Sequence, residues 1–207
     1  NSTASSGVNM HVAGGGVYAL HCFGQITNSF IFKNSLGGSQ PNTGDGYGAG
    51  MFLQGGALNI IDCVIAANTA NFQNYGGNSG GGIYMSGDHY LGHSLIASNT
   101  VLGRAGGKRY GAGIFMASGL VENVRLIGNT SGGDTTGVTR GGGLYITGGT
   151  FRNSVITANY IQDTGGGVYA SGGVLENVTV VGNSSKEAGL VAGVQLAGTA
   201  EVVNSIF

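Results

Sequence analysis

The chain is poor in charge: charged residues make up 8% of its 207 residues, and it contains one proline and no tryptophan. A typical soluble domain is about one quarter charged. Because the net charge is −1, the composition gives no electrostatic case for binding nucleic acid or an anionic membrane. No apolar run approaches the roughly 20 residues of a membrane-spanning helix. The sequence therefore predicts neither nucleic-acid binding nor membrane insertion by this segment.

Cysteine is also scarce, and its placement does not favour a disulfide. Cys22 and Cys63 fall at different positions of the repeat described below, so we expect two free thiols, with Cys63 a small buried filler. His21 and Cys22 are separated by a whole repeat from Asp88 and His89, which is not a metal-ligand spacing. The sequence accordingly predicts no metal site and no cofactor.

Glycine, in contrast, is abundant, with 44 residues, and it marks a repeat. A glycine opens each of seven segments and recurs every 24 to 34 residues. A period of this length with strand-like residues indicates a solenoid. We call these residues the anchor glycines: Gly16, Gly50, Gly82, Gly113, Gly143, Gly167 and Gly193.

Residues around the anchor glycines alternate in the manner of strands. The first and third residues after each glycine are apolar and are expected to point inward, and the second, aromatic in six of seven segments, to point outward. Two further short strands complete each segment. The sequence thus predicts an all-β, right-handed parallel β-helix of about seven coils with three strands per coil. We expect one domain, 1–207, with a lead-in at 1–13, forming part of a longer chain or capped by partner copies.

Asparagine recurs at two positions of each coil: a corner before the third strand, and the end of that strand, which we call the closing position. Stacked carboxamides can donate to one another from coil to coil, so both sets are predicted to form ladders. At the corner, Asp62 and His93 replace asparagine. The predicted ladder residues are Asn28, Asn34, Asn68, Asn99, Asn123, Asn129, Asn153, Asn159, Asn177, Asn183 and Asn204.

The two halves of the repeat resemble a known pattern. Gly-Gly-Gly-Ile-Tyr at 80–84 and Gly-Gly-Gly-Val-Tyr at 165–169 are similar to the GGA-[ILV] half of the polymorphic outer-membrane-protein repeat. Ile65-Ala-Ala-Asn68 and Ile96-Ala-Ser-Asn99 resemble its F-x-x-N half, with Ile in place of Phe. The resemblance covers about residues 14–207. It implies a β-helix of the kind found in autotransporter adhesins and in large secreted bacterial surface proteins.

Catalytic chemistry is weakly indicated, and no catalytic residue is assigned. Asp62 and His93 occupy one column on adjacent coils, which permits a carboxylate–imidazole pair, but also two ladder positions that bond each other. No serine or second acid recurs with them. Polysaccharide lyases and hydrolases with a β-helix need grouped acids, and the nine acidic residues are dispersed.

Two surfaces are the candidates for interaction. The outward aromatic residues form an unbroken column, which either stabilises itself or offers a flat platform to sugar rings or a neighbouring molecule; they are Tyr18, Phe52, Tyr84, Phe115, Tyr145 and Tyr169. The segments after the closing asparagines are predicted as loops on one edge of the solenoid. Their candidate binding residues are Tyr75, Arg104, Lys108, Arg109 and Tyr110.

The outer face of the third strand is apolar where a solvated face should be polar, so we expect another copy, another domain or folded-back loops to cover it. Together these features predict an extracellular structural or adhesive protein of the bacterial surface that associates with itself into a fibre or sheath. The alternative is a carbohydrate-binding β-helix, and a polysaccharide lyase or hydrolase is a weaker one. The expected partners are other copies or flanking domains, and polysaccharide.

Overall fold

The computed structural model describes residues 2–4, 11–38, 45–72, 77–103, 106–133, 137–186 and 189–207. These residues form 28 strands and no helix, so within them no helix could cross a membrane. The first fourteen strands are β1 (Ser2–Ala4), β2 (Val12–Ala13), β3 (Val17–Thr27), β4 (Phe30–Phe32), β5 (Ser35–Gly38), β6 (Gly46–Tyr47), β7 (Met51–Ile61), β8 (Val64–Ala66), β9 (Thr69–Phe72), β10 (Gly77–Ser79), β11 (Ile83–Ser86), β12 (Tyr90–Gly92), β13 (Leu95–Ala97) and β14 (Thr100–Gly103).

The remaining strands are β15 (Lys108–Tyr110), β16 (Ile114–Met116), β17 (Leu120–Glu122), β18 (Arg125–Ile127), β19 (Thr130–Ser131), β20 (Val138–Arg140), β21 (Leu144–Ile146), β22 (Thr150–Thr157), β23 (Tyr160–Ile161), β24 (Val168–Ala170), β25 (Val174–Val181), β26 (Ser184–Ser185), β27 (Val194–Leu196) and β28 (Glu201–Val203).

All strand pairs are parallel and join equivalent positions of successive coils, as in Ile83 with Ile114 and Ile114 with Leu144. The strands that follow the seven anchor glycines form one ladder, β3-β7-β11-β16-β21-β24-β27, which spans about six turns. The predicted all-β parallel solenoid with three strands per coil is confirmed.

The predicted inward columns form the core. Met51, Ile83 and Ile114 are fully buried, and the second-strand and third-strand apolar residues join the same cluster. Cys63 is buried in this cluster and Cys22 is exposed; both are free thiols, as predicted.

The glycines of the repeat have two different structural roles. Gly111, two positions before anchor glycine Gly113, has φ +58°, a left-handed conformation that glycine adopts without strain. Gly113 itself is needed for close packing. A Cβ there would lie 2.5 Å from the Gly143 oxygen and 3.0 Å from the Asn129 Nδ2 atom.

The closing asparagines form the predicted ladder. Asn99 donates from its backbone N and from Nδ2 to the Asn129 Oδ1 atom, both at 3.0 Å, and Nδ2 also donates to the Ile65 carbonyl at 2.9 Å. Asn68 makes the same two bonds to Asn99. The pattern runs unbroken through Asn34, Asn68, Asn99, Asn129, Asn159 and Asn183.

The corner asparagines differ from this prediction. In the described residues, a single carboxamide bond links two of them, from Asn177 Nδ2 to Asn153 Oδ1 at 3.1 Å on the surface. Their shared property is a left-handed backbone, with φ between 47° and 55° in all seven coils, Asp62 and His93 included. Asn, Asp and His tolerate this conformation best among non-glycine residues. The corner column therefore makes the turn and is not a continuous ladder.

The segments predicted as loops contain strands. After each closing asparagine the chain enters a seven-stranded parallel sheet, β1-β5-β9-β14-β19-β23-β26. It returns to the anchor strand through a five-stranded one, β2-β6-β10-β15-β20, which we call the cover ladder. Small apolar residues, among them Leu36, Ala70 and Val101, fill a second core here. The sequence did not predict these strands, because they are short and contain few apolar residues.

Candidate functional site

The six outward aromatic residues form a continuous stack along the solenoid axis. Successive ring centroids are 4.8 to 5.4 Å apart, with interplanar angles of 4° to 19°. Tyr84 and Phe115 are the closest and most parallel pair, at 4.8 Å and 4°. Each such contact contributes about 0.5–1.5 kcal/mol beyond burial. The stack therefore stabilises the pairing of neighbouring coils.

In this arrangement the rings do not present their faces to solvent, as the flat platform suggested by the sequence would require. Because the rings stack on one another, their faces are used inside the stack and their edges point outward. Half of the column is also buried. Phe52, Tyr145 and Tyr169 are 6%, 8% and 9% exposed, whereas Tyr18 in the first coil is 58% exposed.

The cover ladder supplies the second layer. Tyr47 lies three positions before Gly50 but packs closest to Tyr84 of the following coil, with centroids 5.0 Å apart. Tyr110 stacks on Tyr145 of its following coil at 4.6 Å, and the Arg140 guanidinium lies 4.7 Å from the centroid of Tyr169. These three side chains thus each shield the aromatic ring of the next coil, and we call the position that they share, three residues before an anchor glycine, the cover position.

The cover is interrupted at β10. Ser79 stands in register between Tyr47 and Tyr110, in the position that would shield Phe115, and Gly77 pairs with Lys108. These two small residues leave a cleft of about 340 Å³ above the stack, a volume at the small end of ligand pockets, which span roughly 300–1,000 Å³. The cleft is lined by Asp45, Tyr47, Gly77, Ser79, Tyr84, Lys108, Tyr110 and Phe115.

The two charged residues of the cleft differ in their partners. Asp45 accepts hydrogen bonds from the Tyr47 hydroxyl at 2.8 Å and from the Gly77 amide, and its carboxylate lies 3.5 Å from His11 Nδ1. The exposed Lys108 ammonium forms no ion pair or hydrogen bond with the part of the chain that is described. The cleft therefore presents one carboxylate that already accepts two hydrogen bonds and one cation without a partner among the described residues.

The tyrosines of the cleft remain protonated. Burial, and then the hydrogen bond to Asp45, raise the pKa of Tyr47 well above its usual value. Burial likewise raises the pKa of Tyr84 and of Tyr110, and the Arg140 charge opposes the increase at Tyr110. Their hydroxyls can thus donate hydrogen bonds throughout the physiological pH range.

The predicted loop-edge residues lie in different environments. Lys108 and Tyr110 line the cleft. Arg109 lies between them on β15 and points the other way; it is fully buried and donates from Nη1 to the Gly103 carbonyl at 3.0 Å. Its assignment as a surface residue is wrong, because alternation along a strand turns it inward. Tyr75 and Arg104 lie outside the described residues.

The other candidate residues do not assemble into a reactive site. Asp62 and His93 are both exposed, and no hydrogen bond or ion pair joins them. His89 is buried, and its Nδ1 atom accepts a hydrogen bond from the Leu58 amide at 3.0 Å. Among the described residues no three metal-binding side chains come together.

The outer face of the third strand is exposed in the described structure. Its central column runs in register from Phe30 through Val155 to Ile206, which are 78%, 37% and 69% exposed. Phe32 and Val181 lie beside it and are more than half exposed. We call these residues the apolar stripe.

The sequence reasoning did not select Asp45, Tyr47, Gly77 and Ser79, although a signal for the cover residues exists. Each cover residue lies three positions before an anchor glycine, so counting back from the glycines aligns Tyr47, Ser79 and Tyr110. Comparison of the chain with protein-family models, curated proteins and solved structures returned no match.

Proposed function

We propose that the chain is part of an extracellular structural or adhesive β-solenoid of the bacterial surface, and that it associates side by side with copies of itself. The observation that carries this proposal is the apolar stripe. Arg125 and Thr179 interrupt its central column, but an exposed apolar strip on a soluble protein usually marks an interaction surface. The resemblance of the repeat to polymorphic outer-membrane-protein repeats supports the surface location.

A second copy is the occupant that best fits the stripe. The strip is straight, because its residues are stacked in register, and it carries one charged residue, Arg125, in its central column. A partner with the same apolar strip matches it, and the contact buries no charged side chain of the central column other than Arg125 of each copy. Two copies related by a two-fold axis would bring stripe against stripe.

The size of the stripe predicts a weak contact between isolated chains. Six steps of about 4.8 Å and three-residue strands give roughly 300 Å² per molecule. A stable interface uses about 800 Å² per partner. Copies held in a row on a surface associate far more strongly, because each contact after the first is intramolecular.

Sedimentation velocity over a range of concentrations, with electron microscopy of the concentrated protein, tests the proposal. We expect concentration-dependent association that is lost when Val155→Lys and Val181→Lys are combined. Gln25→Lys with Gln54→Lys is the matched control, since it adds the same charge at exposed positions outside the stripe. Monomers at all concentrations, or equal association of both double variants, would contradict the proposal.

A further inference from the structure

We propose that the cleft at β10 binds one pyranose ring of an acidic polysaccharide, held between Tyr47 and Tyr110 with its carboxylate at Lys108. The site lies on the cover ladder, away from the apolar stripe, and does not depend on self-association. The cleft exists because Ser79, and not an aromatic residue, occupies the one cover position between two tyrosines.

The spacing of the walls suits a single ring. Tyr47 and Tyr110 belong to strands two steps apart in the ladder, which corresponds to about 9.6 Å. A ring placed midway has about 4.8 Å on each side, and carbon atoms in van der Waals contact are about 3.5–4.0 Å apart. The Tyr110 ring is within 14° of parallel to Tyr145, whereas the Tyr47 ring is tilted by 59° to Tyr84, so the Tyr47 ring has to rotate to present its face to the sugar. Unlike the stacked column beneath, these two tyrosines have no ring between them.

The polar groups favour a sugar over an aromatic side chain. A sugar ring has apolar C–H faces and a rim of hydroxyls, so it needs aromatic walls and hydrogen-bonding groups together. The Tyr84 hydroxyl, the Asp45 carboxylate and the Ser79 hydroxyl are available around the cleft. An inserted aromatic side chain would leave the Tyr84 and Ser79 hydroxyls without partners when it excluded water.

The charges favour an acidic sugar. Asp45 already accepts two hydrogen bonds and faces His11, whereas the Lys108 ammonium has no partner in the described part of the chain. A carboxylate on the bound ring would compensate this cation. Binding should therefore weaken as salt concentration rises.

The direct test restores the missing ring. Ser79→Tyr should fill the cleft with the protein's own side chain and reduce binding of hexagalacturonate at least tenfold in isothermal titration calorimetry. Ser184→Tyr is the control, because it adds the same ring at an exposed position in β26. If Ser79→Tyr fails to fold, Tyr110→Leu provides the test. It keeps an apolar contact with Tyr145 but removes one aromatic wall, and should also weaken binding.

A second comparison tests the charge assignment. The wild-type protein should bind hexagalacturonate more tightly than cellohexaose, and Lys108→Gln should remove this preference. Absence of binding to both oligosaccharides, or binding that Ser79→Tyr leaves unchanged, would overturn the site. Binding of N-acetyl-tyrosinamide without binding of either sugar would overturn the ligand class and identify the cleft as a receptor for an aromatic side chain.

Discussion

At the scale of single residues, asparagine serves two ends in each coil. The closing asparagine is buried, and all its polar atoms bond to neighbouring coils, as Asn99 shows with Asn68, Asn129 and Ile65. The corner asparagine, such as Asn123, is exposed and has φ 53°. The closing position requires asparagine because its polar atoms are buried and bonded. The corner position is explained by its backbone conformation alone.

The same substitution at both positions separates these roles. Asn99→Gly leaves buried donors and acceptors of three neighbours without partners, each at a cost of about 1–3 kcal/mol, so the free energy of unfolding should fall by about 3 kcal/mol or more. Asn123→Gly removes an exposed side chain where glycine relieves a positive φ, and should change it by less than about 1 kcal/mol. Chemical denaturation followed by circular dichroism measures both. Equal losses would show that the corner column is also a ladder.

The corner and closing columns also differ in the sequence, although the sequence alone does not explain why. The corner column accepts Asp62 and His93, whereas the closing column is asparagine in all six coils. Asp and His share with Asn a tolerance for positive φ, but an ionised Asp has no donor and a neutral His has a single N–H, whereas the ladder carboxamide donates two hydrogen bonds and also accepts. The variation at the corner therefore indicates a backbone requirement.

At the scale of elements, the strand columns of the main sheet are predictable and the cover ladder is not. The main strands alternate apolar and outward residues at a fixed distance after each anchor glycine, and this alternation determines which side faces the core. Strands such as Gly46–Tyr47 and Val138–Arg140 contain two or three residues, and their partners come from other coils. Their pairing follows from the position imposed by the main sheet. Counting back from the anchor glycines aligns Tyr47, Ser79 and Tyr110, but that these positions pair into a ladder and form a cleft is visible only in the structure.

The turn between β11 and β12 should make stability sensitive to pH. Burial lowers the pKa of His89 below its ordinary value of 6.5, and the nearby Asp88 charge partly opposes this. The unfolded chain binds a proton at His89 near pH 6.5, whereas the folded chain binds it only at lower pH. The contribution of neutral His89 to the free energy of unfolding is therefore present above pH 6.5 and is lost as the pH falls. His89→Asn, which keeps an acceptor for the Leu58 amide, should flatten the dependence.

Denaturation curves between pH 7.5 and 5 provide the measurement. The difference between the wild-type protein and His89→Asn cancels the contribution of the carboxyl groups they share. His93→Asn is the control, because His93 is exposed at a corner where asparagine is usual. A pH dependence that is the same in all three proteins would exclude His89 as its source.

At the scale of the whole molecule, the solenoid is a one-dimensional stack in which each coil contacts mainly its neighbours. In such proteins stability is approximately a sum of coil and interface contributions. The closing ladder and the aromatic stack cross all five interfaces between the first six coils, so these coils present equivalent surfaces at both faces. A complete coil should therefore be removable without loss of the fold.

Deletion of residues 113–142 removes one complete 30-residue period and joins Ala112 to Gly143, which restores the glycine-rich turn. Asn99 would then meet Asn159 in the closing ladder. We expect a folded, less stable protein whose long axis is shorter by about 4.8 Å in small-angle X-ray scattering.

Deletion of residues 113–127 removes only half a period, so the following residues would meet the wrong columns and apolar side chains would face water. If both deletions unfold the chain, the coils are not independent units; if both fold, register does not govern the stack.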